Sequence, residues 1–580
     1  MSYEKSMMDK NQIAEAMEEI AVLLELKGDN PFKIRAYYNA ARCLEGLSEN
    51  LETLVKEDRL QELPGIGKDL AEKVKDLFKT GRLKYLEELR ALFPPGLTDL
   101  LKIPGLGPKK VKALYEKLGI HSVGELEYAC KENRLLDLAG FGAKTQTNIL
   151  QGIAYQKKHQ GSYLFDVAFE TAQEVLERLK ALPEVLECEI AGSLRRYKEV
   201  VHDADIVACV KKSSEEEVMK KFCSFSDVEN VLGQGDTKSS IRLSNGLQID
   251  LRIVSEKEYP YALLHFTGSK EHNTLLRSLA KDEGLKLNEY GLFKGEKIIP
   301  CKSEAEIYQA LGMDYIPPEL REASGEIAAA QAHHIPKLIE AKEIQGVFHV
   351  HSDWSDGSAK IEAMAQAAKK LGFKYMGLSD HSQSAKYAGG LGAEEIKKQH
   401  AEIDALNKKF TGFKILKGIE SDILADGSLD YPESILKKFD FVIASVHSSF
   451  KMDEATMTQR LITALENPYT TMLGHISGRL LLAREGYPLN YEKIFKSAVK
   501  NKKMIEINAN PHRLDLDWRL IKKAKDMGVK FSINPDAHSP EGLKDTFWGV
   551  GIARKGWLTT EDIFNTGNLE KIEKDLGKAS

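Results

Sequence analysis

The chain is 580 residues long, 42% hydrophobic and carries a formal net charge of −5, which allows roughly three or four domains with buried cores and argues against a uniformly basic nucleic-acid coat. Its six cysteines, Cys43, Cys130, Cys188, Cys209, Cys223 and Cys301, never fall in a C-x-x-C pair and suggest reduced thiols in a cytoplasmic compartment. The polar opening MSYEKSMMDKNQ is not expected to act as a signal peptide, and no uncharged apolar run is long enough to span a bilayer.

Three glycine hairpins recur in the first part of the chain, LPGIGKDLAEKV (63–74), IPGLGPKKVKAL (103–114) and LAGFGAKTQTNI (138–149), at a pitch of about forty residues. Gly65 and Gly67, Gly105 and Gly107, and Gly140 and Gly142 permit sharp turns that leave backbone N–H groups at a helix N-terminus free to hold an anion. The apolar residue inside each pair is expected to plug the flanking helices. Around the second hairpin Lys102, Lys109, Lys110, Lys112 and Lys117 face only Glu116, an excess suited to gripping a phosphate backbone without reading bases. The hairpins look like helix-hairpin-helix DNA-binding motifs; tight helix–helix turns with no ligand are the alternative.

Residues 161–316 alternate helices with strand-like runs. In AGSLRRYKEVVHDADIVACV (191–210) a Gly192-Ser193 turn with two arginines leads into a strand carrying Asp203 and Asp205, and strand alternation puts both carboxylates on one face. GLQIDLRIV (246–254) presents Asp250 and Arg252 by the same rule. Three acidic groups on one face repel one another unless cations neutralise them, the requirement of a two-metal phosphoryl-transfer site.

From about Asn30 to Glu322 the sequence resembles the family X DNA polymerases, the group containing DNA polymerase beta, through NPFKIRAY, GIGKDLAEKV, GSLRR, DAD, IDLR, HFTGSKEHN and LNEYGLF. The resemblance implies that Asp203 and Asp205 bind both metals, while Asp250 binds the catalytic one and accepts the primer 3′-hydroxyl proton. It implies that Gly192, Ser193 and Arg196 hold the triphosphate, that Phe266 and Gly268 shape the sugar pocket, and that Asn273 reaches the minor-groove edge of the incoming base. His202 and His265 depart from the family pattern. Lys73 aligns with the Schiff-base lysine of the deoxyribose-phosphate lyase, a role that needs a lowered pKa; a solvated or phosphate-facing lysine is the other reading. Lys33, Arg35 and Tyr37 are candidates to flank a 5′-phosphate near it.

Beyond Tyr315 a Pro-Pro break opens an alanine-rich connector, 317–340. After it, strand candidates beginning at Gly346, Tyr375, Lys414, Phe441, Thr471, Met504 and Lys530 alternate with amphipathic helices, which suggests a barrel of parallel strands with its chemistry at their C-terminal ends. GVFHVHSDWSDG, YMGLSDH, KGIESD, FVIASVH, TMLGH and FSINPDAH all close on potential ligands: His349, His351, Asp356, His381, Glu420, His447, His475, Asp536 and His538. That donor set suits two or three divalent ions such as Mn²⁺ or Zn²⁺. His400 and His512 lack this context, and Arg479 is a candidate for a substrate phosphate or a structural ion pair. The segment from about 346 to 570 resembles the polymerase and histidinol phosphatase (PHP) domain, and the resemblance implies a (β/α)₇ barrel that hydrolyses phosphoesters.

The expected fold is multidomain α and α/β. It has a lyase-like helix-hairpin-helix domain (1–85), a second, fingers-like one (86–160), a nucleotidyltransferase α+β palm (161–260), a thumb (261–316), a linker (317–340) and a distorted (β/α)₇ barrel (341–580). The expected function is a bacterial-type family X DNA polymerase filling short gaps in base excision repair, with a 3′–5′ exonuclease or phosphoesterase in the barrel. It would act as a cytoplasmic monomer, away from membranes, on gapped or primer–template DNA and deoxynucleoside triphosphates, with Mg²⁺ or Mn²⁺ at the polymerase site. Alternatives are a DNA-binding PHP nuclease or phosphatase with an inactive polymerase core, and a small-molecule phosphatase.

Overall fold

A computed structural model of the chain describes residues 8–577 apart from 9, 46, 48–50, 64, 95, 104, 137 and 158–160. Most of the opening MSYEKSMMDKNQ, and with it the signal-peptide reading, lies outside the described residues. The chain divides into two compact units, 1–130 with 135–153 and 131–134 with 154–580. Among the described residues no helix is long and apolar enough to cross a membrane.

The first unit is helical. Its opening helix, Lys10–Lys27, repeats apolar residues at helical spacing, so that Ile13, Met17, Ile20 and Leu24 share one buried stripe. Ile66, Leu106 and Phe141 are buried as plugs in the three hairpins. Gly65, Gly105 and Gly140 have φ of 82°, 86° and 89°, the left-handed region that glycine alone enters without strain. Gly67 and Gly107 then cap the helices Lys68–Thr80 and Pro108–Leu118 with no side-chain bond to their first N–H groups. Residue 85, the expected end of the first domain, falls inside the helix Lys84–Arg90.

The second unit opens with a five-stranded sheet in the order Val185–Ile190, Asp203–Val210, Gln248–Val254, Lys238–Leu243, Val228–Gln234. The second and third of these are parallel and the other neighbours antiparallel. The helix Phe165–Lys180 buries Ala168, Ala172, Val175 and Leu179, at spacings of three and four residues, in the same core as Ala204 and Ile206 of the sheet. This leaves Asp203 and Asp205 on the opposite, partly exposed face. A small antiparallel sheet, Lys286–Asn288, Gly291–Lys294 and Lys297–Ile299, follows. The segment 317–340 is no loose connector: Leu320, Ala330 and Leu338 are buried in one cluster with Tyr261, Leu276 and Tyr308.

Seven parallel strands complete the unit: Gly346–Val350, Tyr375–Leu378, Lys414–Asp422, Phe441–Ser445, Met472–Leu473, Met504–Asn508 and Phe531–Asn534. Five begin where the sequence pattern put them, and the other two begin one residue later. His351 N donates to Ala537 O at 2.9 Å and Ala537 N to His349 O at 3.2 Å, bringing the first strand against the end of the seventh. Strand interiors are buried on both faces, as parallel strands wrapped by helices require. Packing inside the barrel is tight: a Cβ on Gly418 would meet the Phe441 ring at 2.1 Å.

Candidate metal centres

The barrel gathers its ligands at one rim. His349 and His351 come from the first strand or its end, and Asp356 from the loop after it. His381 follows the second strand, Glu420 lies on the third, and His447 and His475 follow the fourth and fifth. Asp536 and His538 follow the seventh. Four overlapping sets have ligand atoms all within 4.8 Å of one another: His351, Asp356, His381 and His538; His349, His351 and Asp536; His349, Glu420 and His475; and His381, Glu420 and His447. All nine expected ligands are thus brought together. Glu420 is the hub, with Oε1 3.2 Å from His349 Nε2, 3.2 Å from His447 Nε2 and 2.9 Å from His475 Nε2, and Oε2 3.0 Å from His381 Nδ1.

The residues fit divalent cations. His349 Nε2, both ring nitrogens of His351 and of His381, His538 Nε2 and Asp356 Oδ2 are buried without a hydrogen-bond partner, a heavy penalty for polar atoms unless a cation takes their lone pairs. The chain also accepts strain here: His349 and Asp536 have φ of 57° and 52°, left-handed values that cost a non-glycine residue on the order of 1 kcal/mol or more. Burial pushes His351 down to about 3, and the nearby His538 adds to it, leaving the neutral imidazole that a metal needs. Burial pushes the Glu420 carboxyl up, but His447, His349 and His381 outweigh it and hold it well below the usual range.

Carboxylates that the sequence reading missed stand behind the ligands: Glu506, Asp422 and, beside His538 Nδ1, Glu132. Glu506 Oε1 lies 2.6 Å from His349 Nδ1, and Glu506 also accepts from His475 N at 2.7 Å and Asn534 Nδ2 at 2.9 Å. Asp422 Oδ1 lies 2.5 Å from His447 Nδ1. Such partners fix the imidazole tautomer and turn the other nitrogen toward the metal. The available signal was position: Asp422 stands two residues after Glu420 on one strand, and Glu506 is the acidic residue inside the apolar MIEIN strand.

Arg479 resolves to its structural alternative. Its Nε donates to Arg513 O at 2.9 Å and its Nη1 to Asp517 Oδ2 at 2.8 Å. Arg513 lies nearer the centre, with Nε 3.5 Å from Asp536 Oδ2. His400 packs edge-on to Phe439, and neither it nor His512 joins a ligand set.

On the sheet, Asp205 pairs directly with Asp250 across the parallel ladder, and Asp203 with Gln248. Burial pushes the Asp205 carboxyl up to about 7, and Asp203 and Asp250 push in the same direction. Burial also pushes Asp250 up, but Lys238, at 2.7 Å, and Gln248 outweigh it, so Asp250 stays below its usual value. A carboxylate-only set in which one member resists ionising until a cation arrives fits a hard divalent ion such as Mg²⁺. Gly192 sits against this set with φ 61°, and a Cβ there would lie 2.0 Å from Asp205 Oδ2.

The expected nucleotide residues share this neighbourhood. Arg196 donates to Thr267 O and, through Nε, to Glu322 Oε1 at 3.1 Å, and a Cβ on Gly268 would stand 3.1 Å from its Nη1. Phe266 lies under the Arg252 guanidinium at 4.8 Å, Asn273 Nδ2 donates to His265 O at 2.8 Å, and Ser193 offers its carbonyl to Lys198 N at 3.1 Å.

In the first unit, Lys109 is exposed beside the second hairpin and Lys110 Nζ donates back to Gly105 O at 3.0 Å. Lys102 pairs with Asp99 at 2.7 Å, a counterion the lysine tally left out. Lys33 and Lys73 stand 5.1 and 5.4 Å from the Tyr85 ring. Burial pushes the Lys73 amine down, but bonds to Asp69 and Tyr37 outweigh it and hold it above the usual lysine value. That is the opposite of the free amine a Schiff base requires.

Comparison with known proteins agrees with this layout. Residues 8–83 match the helix-hairpin-helix domain and 97–154 the SAM-like helix-hairpin-helix tandem. Residues 262–322 match the DNA polymerase beta thumb and 348–510 the PHP domain. The chain is 41% identical to the DNA polymerase/3′-5′ exonuclease PolX of Bacillus subtilis (strain 168) over 573 residues, covering 98% of this chain and 99% of that protein. It is 31% identical to a probable phosphatase of Thermoanaerobacter sp. (strain X514) over 39% of this chain and 92% of the phosphatase. It is 24% identical to rat (Rattus norvegicus) DNA polymerase lambda over 53% of this chain and 56% of the polymerase. With a sheet of three coupled aspartates, a histidine-rich barrel rim and one relative matched almost end to end, the chain belongs to the family X DNA polymerases that carry a PHP domain.

Proposed function

We propose that the chain is a DNA-directed DNA polymerase that fills short gaps during repair, and that its barrel is a metal-dependent 3′–5′ exonuclease. The relative matched along nearly its whole length bears both activities in its name. The observation that carries the reading is the presence, within one compact unit, of a converged ligand cluster centred on Glu420 and, apart from it, of Asp205 paired with Asp250 across two strands of the sheet.

At the sheet, Mg²⁺ or Mn²⁺ held by Asp203, Asp205 and Asp250 would supply the charge neutralisation that phosphoryl transfer needs. Asp250, kept ionised by Lys238 and Gln248, is assigned the proton of a primer 3′-hydroxyl. Arg196, beside the Thr267–Gly268 turn, is assigned to the triphosphate with Gly192 and Ser193. Phe266, Gly268 and Asn273 are assigned to the sugar and base of the incoming nucleotide. The hairpins at Gly65 and Gly67, Gly105 and Gly107, and Gly140 and Gly142, with Lys109 and Lys110, are assigned to the DNA backbone.

In the barrel, two or three Mn²⁺ or Zn²⁺ ions would supply a water acidic enough to ionise near neutral pH. Glu506 and Asp422 orient the imidazoles of His349 and His447, and Arg513 and Arg134, with Nε 3.5 Å from Asp536 and 3.8 Å from Asp356, are cationic groups at the rim for a phosphate. The protein is proposed to act as a monomer.

The test is a pair of assays on the purified chain with a labelled primer on gapped DNA. Added deoxynucleotides and Mg²⁺ or Mn²⁺ should extend the primer, and their omission should give stepwise loss from its 3′ end. Failure to extend under both metals would replace the proposal with that of a DNA-binding nuclease or phosphatase.

A further inference from the structure

The turn that carries the triphosphate residues does not stand alone on the sheet. The five residues after Leu194 run along two helices of the barrel, Trp518–Asp526 and Thr546–Lys555. Tyr197, at φ 55°, lays its ring on the second helix so closely that a Cβ on Gly551 would meet it at 1.9 Å. Glu199 accepts from Trp518 Nε1 at 3.1 Å and from Arg519 Nη1 at 3.0 Å.

Between these anchors Lys555 reaches in from the end of its helix, only 2% exposed. Its Nζ donates to Arg196 O at 2.7 Å and to Glu322 Oε1 at 2.7 Å, with the Trp518 ring 4.4 Å away. The same Glu322 Oε1 accepts from Arg196 Nε at 3.1 Å. Lys555 therefore holds the backbone of Arg196 directly and its guanidinium through one carboxylate. A surface arginine samples many rotamers, and fixing it before the nucleotide arrives removes that ordering step from binding.

We infer that Lys555, although it belongs to the barrel, is a positioning residue for the nucleotide site of the sheet, holding Arg196 in place through Glu322 and its own carbonyl. This rests on the reading of Arg196 as a triphosphate contact. It makes the barrel a structural part of the polymerase, separate from any hydrolysis at its rim.

The experiment measures single-nucleotide gap filling by the full chain with Lys555→Met, Arg196→Ala, the double variant and Glu322→Gln. Lys555→Met is expected to raise KM for the deoxynucleotide about tenfold while kcat changes less than about threefold. The double variant should bind nucleotide no worse than Arg196→Ala alone, since one pathway is removed twice. Glu322→Gln, which keeps the side-chain shape and alters no residue of the barrel itself, should give the same KM signature. Arg519→Gln, which removes one of the two bonds to Glu199 and leaves the Lys555 bonds in place, should not. Digestion and bound metal should persist throughout. If Arg196→Ala raises KM and Lys555→Met does not, the inference fails and the triphosphate reading survives; if Arg196→Ala leaves KM unchanged, both fall. Equal losses of extension, digestion and melting temperature in Lys555→Met, or additive effects in the double variant, would make Lys555 a packing group and overturn the assignment.

Discussion

His349 Nδ1 and Glu506 Oε1 lie 2.6 Å apart, both side chains sealed from solvent. The pair fixes which imidazole nitrogen is left for a metal, since Nδ1 is committed to the carboxylate and only Nε2 remains, 3.2 Å from Glu420. Glu506→Gln keeps the shape but removes the charge that holds this arrangement. It is expected to weaken barrel metal affinity by about 10–100-fold and to slow 3′ digestion while leaving extension intact. Elemental analysis after dialysis against buffered metal checks it; undiminished metal at matched free concentration would count against the assigned role.

Asp250 lies on the sheet and shares no ligand set with the barrel rim. Asp250→Ala is expected to abolish extension and spare digestion. The converse pair, His349→Ala with His351→Ala, should lose bound metal and digestion while still extending primers. Parallel losses of both activities in either variant would mean the two centres act as one.

What was legible in the sequence follows the range of the interaction. Strand alternation put Asp203, Asp205 and Asp250 on one face, and the rule that parallel barrels do their chemistry at strand ends found His447, His475 and His538, because both are local patterns. Glu506 showed only as an acidic residue in an apolar strand, and its role was hidden because its partner, His349, is 157 residues away. The pairing of Lys555 with Glu322 spans 233 residues and has no motif. Boundaries were poorly legible too. The Pro-Pro break read as the start of a connector, yet Leu320 and Leu338 are buried in an apolar cluster with Tyr261 and Tyr308. Arg479, close to His475 in sequence, stood open between a phosphate and a structural ion pair, because the partners that decide it come from the later turn at Arg513 and Asp517.

Asp205 gives the sheet site a pH dependence. Its carboxyl, raised to about 7 by burial with Asp203 and Asp250, is raised above its unfolded value near 4, so the folded metal-free protein binds a proton more tightly than the unfolded chain. The penalty is absent below about pH 4, grows as pH rises to about 7 and is complete above that. Asp205→Asn is therefore expected to stabilise the metal-free protein at pH 8 by roughly 2–4 kcal/mol and to have little effect at pH 4. Melting curves in chelator at the two pH values check this. Below pH 7 the unaltered protein should release about one proton more on cation binding than Asp205→Asn does, readable by calorimetry in buffers of different ionisation enthalpy; equal release by the two would contradict it.

Gly192 ties backbone conformation to the same carboxylate. It is left-handed at φ 61°, and a methyl there would lie 2.0 Å from Asp205 Oδ2. Gly192→Ala must therefore push Asp205 aside or open the turn, since neither the backbone nor the strand behind the aspartate yields easily. Overpacking of this kind costs about 1–3 kcal/mol, a modest drop for a chain with a large core. Displacing a would-be ligand by even 1 Å costs on the order of 100-fold in rate. Extension should therefore fall far more than stability, with barrel digestion unaffected. Primer extension, 3′ digestion and melting temperature measured together decide the matter: a variant that melts normally and extends at the unaltered rate would show that the turn does not abut Asp205 in solution.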